Sequence, residues 1–125
     1  MQSWILVALG GALGSVARFG LGQVVDARWG ADLPVGTLLI NLLGSFAIGA
    51  VAGFTSDPAV RQLVMIGILG GFTTFSSFSL QTVQLMSAGR YPAAAGYVAA
   101  SVVLCVLGTM LGLALAKACG GRPTV

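Results

Sequence analysis

The sequence predicts an all-α membrane protein: four transmembrane helices, the third of them broken, in an antiparallel dual-topology homodimer. Three observations predict it. Of 125 residues, 57% are hydrophobic and 7% are charged, against about 25% charge in a soluble domain, too little to cover a water-facing surface. Charge-free runs at 1–17, 33–56, 62–89 and 91–116 divide the chain, and about 20 apolar residues cross a hydrocarbon core of about 30 Å. The six basic residues fall evenly on the two sides that four spans impose.

Spans are expected at about 3–25, 34–55, 61–88 and 92–118, within one transmembrane domain covering 1–125. The first charge-free run is short, so helix 1 must continue past Arg18 to about Val25, leaving Arg18 near one end. It begins at Trp4 without a basic leader, unlike a cleaved signal peptide. The first connection, Asp26 to Pro34, holds Asp26, Arg28 and Asp32; the second holds Asp57, Pro58 and Arg61; the third is Ala88 to Pro92 with Arg90. Pro34, Pro58 and Pro92 suit helix starts, where the missing N–H costs nothing.

With four spans, both termini share a side with the second connection. The positive-inside rule then sets Arg61, Lys117 and Arg122 against Arg28, Arg90 and Arg18, three against three. A chain without a charge preference inserts both ways, and its two orientations can pair as an antiparallel homodimer in the lipid.

Composition also excludes chemistry. With no His and no Glu there is no imidazole base, conventional metal cluster or Glu/Asp pair, so the chain does not read as an enzyme. Cys105 and Cys119 are 14 residues apart in one expected helix, about 21 Å at 1.5 Å per residue, too far to bridge within a chain. The basic residues are scattered singly, which gives no nucleic-acid footprint.

Among 19 glycines, Gly10 and Gly14, Gly49 and Gly53, Gly67 and Gly71, and Gly108 and Gly112 are each G-x-x-x-G pairs, which let helix backbones approach closely in lipid. Polar residues in the spans carry the functional reading, because each costs free energy unless it faces protein or water. Thr37, Asn41 and Ser45 share one face of helix 2, and Tyr97, Ser101 and Cys105 one face of helix 4. Asn41 is the most demanding, with two donors and an acceptor oxygen. Helix 3 reads Gly70-Gly71-Phe72-Thr73-Thr74-Phe75-Ser76-Ser77-Phe78-Ser79, a run of poor helix formers, and is expected to break there. Backbone freed at bilayer depth is tolerated where it faces a cavity or holds an ion, and carbonyls gather around cations.

Phe75 and Phe78 lie three apart beside those hydroxyls. A ring's positive edge can face an anion, so a path of hydroxyl and amide donors suits a small anion. Moving an ion into ε near 4 costs on the order of 20 kcal/mol, while each hydrogen bond to it returns roughly 1.5–3 kcal/mol. The ion must therefore pass from donor to donor, partly hydrated, helped by a fixed positive charge such as a cation held at the break.

Three segments together resemble the Fluc/CrcB family of small bacterial fluoride channels: Gly10-Gly11-Ala12-Leu13-Gly14-Ser15-Val16-Ala17-Arg18-Phe19, Gly36 to Phe46 around Asn41, and Gly70 to Ser79, close to that family's GGxTTFSTFS signature. The resemblance implies a passive fluoride-selective channel of the bacterial inner membrane, working as an antiparallel dimer with two pores. It implies that Phe75 and Phe78 are the paired pore phenylalanines and that Asn41 hydrogen-bonds fluoride. Thr37, Thr74, Ser77, Tyr97 and Ser101 would complete the polar track. The carbonyls of Gly70 and Thr73 would hold a structural Na⁺ at the dimer axis, with Arg18 near the vestibule. Two departures stand out, Ser77 where Thr is common and Cys105 where a hydroxyl is expected. The rival reading, a proton-coupled exporter of the small multidrug type, requires a membrane-embedded carboxylate, and Asp26, Asp32 and Asp57 all fall in expected connections.

Overall fold

The computed structural model describes residues 2–30 and 32–121. Its elements are α1 (Gln2–Trp29), α2 (Val35–Phe54), α3 (Pro58–Val60), a π-helical stretch (Arg61–Leu69), α4 (Gly70–Phe72), α5 (Phe75–Ser87) and α6 (Tyr91–Ala118). Four segments are long and apolar enough to cross a bilayer: Ser3–Trp29, Val35–Phe54, Pro58–Ser87 and Tyr91–Ala118. The protein is a multi-pass membrane protein.

Helix ends follow local chemistry. Nothing between Val24 and Trp29 interrupts α1, and it runs on until Gly30 adopts φ +76°, a left-handed conformation that Cβ disfavours elsewhere. Helix 1 therefore ends four residues later than the expected Val25, and two assignments change. Asp26 and Arg28 belong to the last turn of α1 rather than to a connection, and Arg18 lies well inside the helix rather than near its end. The third span starts at Pro58 instead of 61 because the Asp57 carboxylate accepts from the amides of Ala59 at 2.7 Å and Val60 at 3.3 Å, which caps two otherwise unsatisfied donors. The Asp26 carboxylate lies against Gly36 in the first turn of α2, where the helix dipole favours negative charge. Arg122, counted in the charge balance, lies outside the described residues.

The glycine pairs meet two by two. On α1, Gly10 packs on Leu63 and Gly67, and Gly14 packs on Ile68 and Phe72, so this pair abuts the pair Gly67 and Gly71 of the third span. Between α2 and α6, Gly49 lies on the backbone of Thr109, Gly112 on that of Phe46, and Gly53 on the Ala116 methyl. A Cβ at any of these seven glycines would overlap a neighbouring residue. Thr109 ties the second pair further, its hydroxyl reaching the carbonyls of Ser45 at 3.0 Å and Cys105 at 3.1 Å. The buried apolar cluster is small, formed by Phe78, Leu85, Ala94 and Tyr97 between α5 and α6. Outward faces carry Trp4, Leu13, Val16, Phe19, Val103 and Leu107, the composition of a lipid-facing surface.

Candidate functional site

Between α4 and α5, Thr73 (φ −81°, ψ 158°) and Thr74 (φ −151°, ψ 114°) are extended. Interrupting a helix leaves amides and carbonyls without their i±4 partners, and hydrocarbon offers no replacement. Neighbouring side chains supply some of them. The Thr74 N–H donates to Asn41 Oδ1 at 2.8 Å, and Asn41 Nδ2 donates to the Thr74 carbonyl at 3.1 Å. This two-point clamp from α2 holds one residue of the interruption, Thr74, through both of its flanking peptides. The Ser77 N–H donates to Thr74 Oγ1 at 3.2 Å, capping α5, and Thr74 Oγ1 donates to Ser77 Oγ at 3.1 Å. On the other side, Arg18 Nε donates to the Gly71 carbonyl at 3.1 Å. The Thr73 N–H and hydroxyl both donate to the Leu69 carbonyl at 2.9 Å.

The carbonyls of Gly70 and Thr73 are among those left without their helical donors. In an unbroken helix, Gly70 and Thr73 would accept from the amides of Thr74 and Ser77. Both of those amides are committed to side-chain oxygens.

Beside the interruption is a cavity of about 460 Å³, lined by Asn41, Gly70, Thr73, Thr74, Phe75, Phe78 and Ser101, with Met65 and Cys105 also on its wall. Ser101 is 7% exposed and its Oγ is buried without a hydrogen-bond partner. The rings form a row, with Phe75 to Phe78 and Phe78 to Tyr97 each 5.3 Å between centroids and tilted by 45° and 46°. Phe78 is buried in this row at 9% exposure, whereas Phe75 stands at the open side at 78%.

The polar groups continue past the rings. One turn from Ser101, the buried Tyr97 hydroxyl lies beside that of Thr37 and donates to Gln81 Oε1 at 3.0 Å. Gln81 lines a second cavity of about 410 Å³ with Gln84, Asp26, Asp32 and Arg90. There Arg90 Nη1 donates to the Asp32 carbonyl at 2.7 Å. Side-chain hydroxyls and amides thus lie between the two cavities, beside the buried Phe78 ring.

Residues 5–113 match the family described as CrcB-like protein, Camphor Resistance (CrcB). The chain belongs to the CrcB family. Curated relatives agree along nearly its whole length. The fluoride-specific ion channel FluC of Opitutus terrae is 47% identical over 119 residues, covering 90% of each chain. That of Methylobacterium radiotolerans is 51% identical over 115 residues, covering 86% of this chain and 80% of the relative. That of Methylocella silvestris is 47% identical over 122 residues, covering 92% of each chain.

In this CrcB chain, the residues singled out from sequence separate into three places. Asn41, Gly70, Thr73, Thr74, Phe75, Phe78 and Ser101 share the larger cavity. Thr37 and Tyr97 lie beyond its wall, with Gln81. Ser77 supports Thr74 without lining the cavity, and Arg18 approaches the interruption from α1, on Gly71. Gln81 escaped the sequence reading, although a signal was present: it is an amide within the third span, one turn after Phe78, and as demanding of partners as Asn41.

Proposed function

We propose that this chain is a passive, fluoride-selective channel that lets fluoride leave the cytoplasm across the bacterial inner membrane. It is not an enzyme. The observation that carries the reading is the row of neutral polar side chains (Asn41, Thr74, Ser101, Tyr97, Thr37) beside Phe75 and Phe78, which links two cavities in a protein of this family. Its relatives named as fluoride-specific channels support the choice of ion. HF that enters from acid surroundings ionises inside and is trapped as the anion, so a passive path outward protects the cell.

The mechanism follows from the donors. Asn41 keeps one amide hydrogen after binding the Thr74 carbonyl, and that hydrogen is available to an ion in the larger cavity. The unpartnered Ser101 hydroxyl is the next donor, and the Thr37 hydroxyl, beside Tyr97, the one after. In this reading the edges of Phe75 and Phe78 would present the positive rim of the ring quadrupole to the ion. No single station binds tightly, as conduction requires.

The resemblance also implies a structural Na⁺, and the chain's own chemistry fits one. The carbonyls of Gly70 and Thr73 have lost their amide partners to side chains, and both residues line the cavity. These carbonyls, two from each of two copies, would hold the ion; a bound cation would supply a fixed positive charge beside the path without burying Lys or Arg.

The antiparallel dual-topology homodimer belongs to the same reading. With Arg18 inside α1, the described loop and helix-end cations are Arg61 and Lys117 on one side and Arg28 and Arg90 on the other, still an even balance. Phe75, open at 78% exposure on the cavity's rim, is where a second copy would close the path. The exporter alternative is disfavoured, because Asp26 lies in the last turn of α1 against the start of α2, and Asp57 caps α3.

The test is flux. Purified protein in liposomes loaded with potassium fluoride, given a potassium ionophore, should release fluoride rapidly without a proton gradient and release little chloride. Release that depends on a proton gradient would favour the exporter, and no release would reject transport.

A further inference from the structure

Arg18 makes its one described side-chain hydrogen bond to the carbonyl of Gly71, 53 residues away, at 3.1 Å. Gly71 sits against the backbone of Gly11 on α1, about two helical turns from Arg18, so α1 holds α4 by close packing and by this bond. The consequence concerns which carbonyls remain available. Three consecutive acceptors at the end of the first half-helix, those of Leu69, Gly70 and Gly71, lie where the chain leaves helical geometry. Leu69 receives the Thr73 amide and hydroxyl, and Gly71 receives Arg18; the amide due to Gly70 goes to Asn41.

We infer that Arg18 is a positioning residue for the cation site: by occupying the Gly71 carbonyl through Nε, it fixes the turn Gly70–Phe72 and leaves the neighbouring Gly70 carbonyl, with that of Thr73, directed to a monovalent cation. The inference rests on the Na⁺ reading above. It gives the arginine a role that comes from its Nε–H rather than from its charge. The charge itself works against a nearby cation. An arginine is suited to this position because its Nε bonds Gly71 while the remaining N–H groups of the fork stay free to face water or an anion.

The two properties can be separated. In Arg18→Gln, the amide Nε2 stands the same number of bonds from Cα as arginine Nε, so the donor is kept and the charge is lost. In Arg18→Lys, a methylene takes that position, so the charge is kept and the donor is lost there. Detergent-purified variants would be melted in fluoride-free buffer while Na⁺ replaces N-methylglucamine, and the Na⁺ concentration giving half the stabilisation read off. Wild type and Arg18→Gln should share a midpoint or show a lower one in Arg18→Gln, while Arg18→Lys shifts it upward about tenfold, the weight of one hydrogen bond from a charged donor. A wild-type midpoint in Arg18→Lys would overturn the inference, as would an upward shift in Arg18→Gln as large as that of Arg18→Lys. Wild-type protein whose melting ignores Na⁺ would instead overturn the cation reading, and this inference with it. If Arg18→Lys does not purify as a folded species, the Gln arm decides, by a retained or raised midpoint.

Discussion

Two pairs of helices in this molecule use the same glycine spacing to different ends. Between α2 and α6, Gly49, Gly53 and Gly112 bring two uninterrupted helices into backbone contact along their length, and the Thr109 hydroxyl bonds across the seam. Between α1 and the third span, Gly10 and Gly14 meet Gly67 and its surroundings just as closely, but the partner is π-helical over Arg61–Leu69 and leaves helical geometry at Thr73 and Thr74. The first pair is a rigid wall. The second holds freed backbone groups in place, with Asn41 reaching over from the wall and Arg18 from α1. Close packing in lipid is therefore not one function. It can make a regular seam, or it can support an irregular backbone whose polar groups then face a cavity.

The largest effect should come from breaking the wall. A side chain at Gly112 would overlap the backbone of Phe46 and Ala50, so Gly112→Leu should cost roughly 3 kcal/mol or more and leave little monodisperse protein on size exclusion. Gly96→Ala, whose Cβ would enter open space, is the control and should elute as wild type.

Next in size is Asn41→Asp. Its carboxylate still accepts the Thr74 amide but cannot donate to the Thr74 carbonyl, and it repels anions. Fluoride efflux from liposomes should fall on the order of 100-fold, the equivalent of losing one charged hydrogen bond and gaining a repulsion. Wild-type efflux would remove Asn41 from the path.

The rings sharpen the comparison by separating transport from stability. Phe75→Ile and Phe78→Ile should each slow fluoride release roughly tenfold with the oligomer intact by cross-linking. Only Phe78→Ile should also lower stability, by about 1 kcal/mol or more, because Phe78 is buried against Tyr97 and Phe75 is exposed. Unchanged flux in both would reject the pore assignment.

Smaller still, Thr109→Val removes the hydroxyl that reaches Ser45 and Cys105 and should cost about 1 kcal/mol in thermal unfolding, with flux unchanged. The smallest effect belongs to Thr73→Ser, which keeps both the carbonyl and the hydroxyl on Leu69. Stability should stay within about 0.5 kcal/mol, and any Na⁺ dependence should persist; its loss would implicate the threonine methyl, which packs on Gly44.

Membrane residence and the number of spans were legible in the sequence because hydrocarbon imposes a length and a charge-free composition that local sequence must obey. The polar residues of the site were legible for the same reason: Asn41, Ser101 and the threonines are costly in lipid and so announce themselves. Motif likeness between Gly70 and Ser79 and elsewhere directed attention to the family, which the matches along the chain establish. The end of α1 was misread, since Asp26 and Arg28 look like loop residues when charge alone marks the boundary, whereas the helix needs a backbone reason to stop and finds it at Gly30. Partners were not legible at all. Composition names four glycine pairs but not which meets which, and it does not say that Arg18 serves Gly71, that Asn41 serves the Thr74 backbone, or that Tyr97 finds Gln81. The three hydrogen-bonded pairings join residues from 16 to 53 positions apart. Local sequence determines which groups must be satisfied, because desolvation acts on each residue by itself; tertiary structure decides what satisfies them, because a hydrogen bond needs both partners in place.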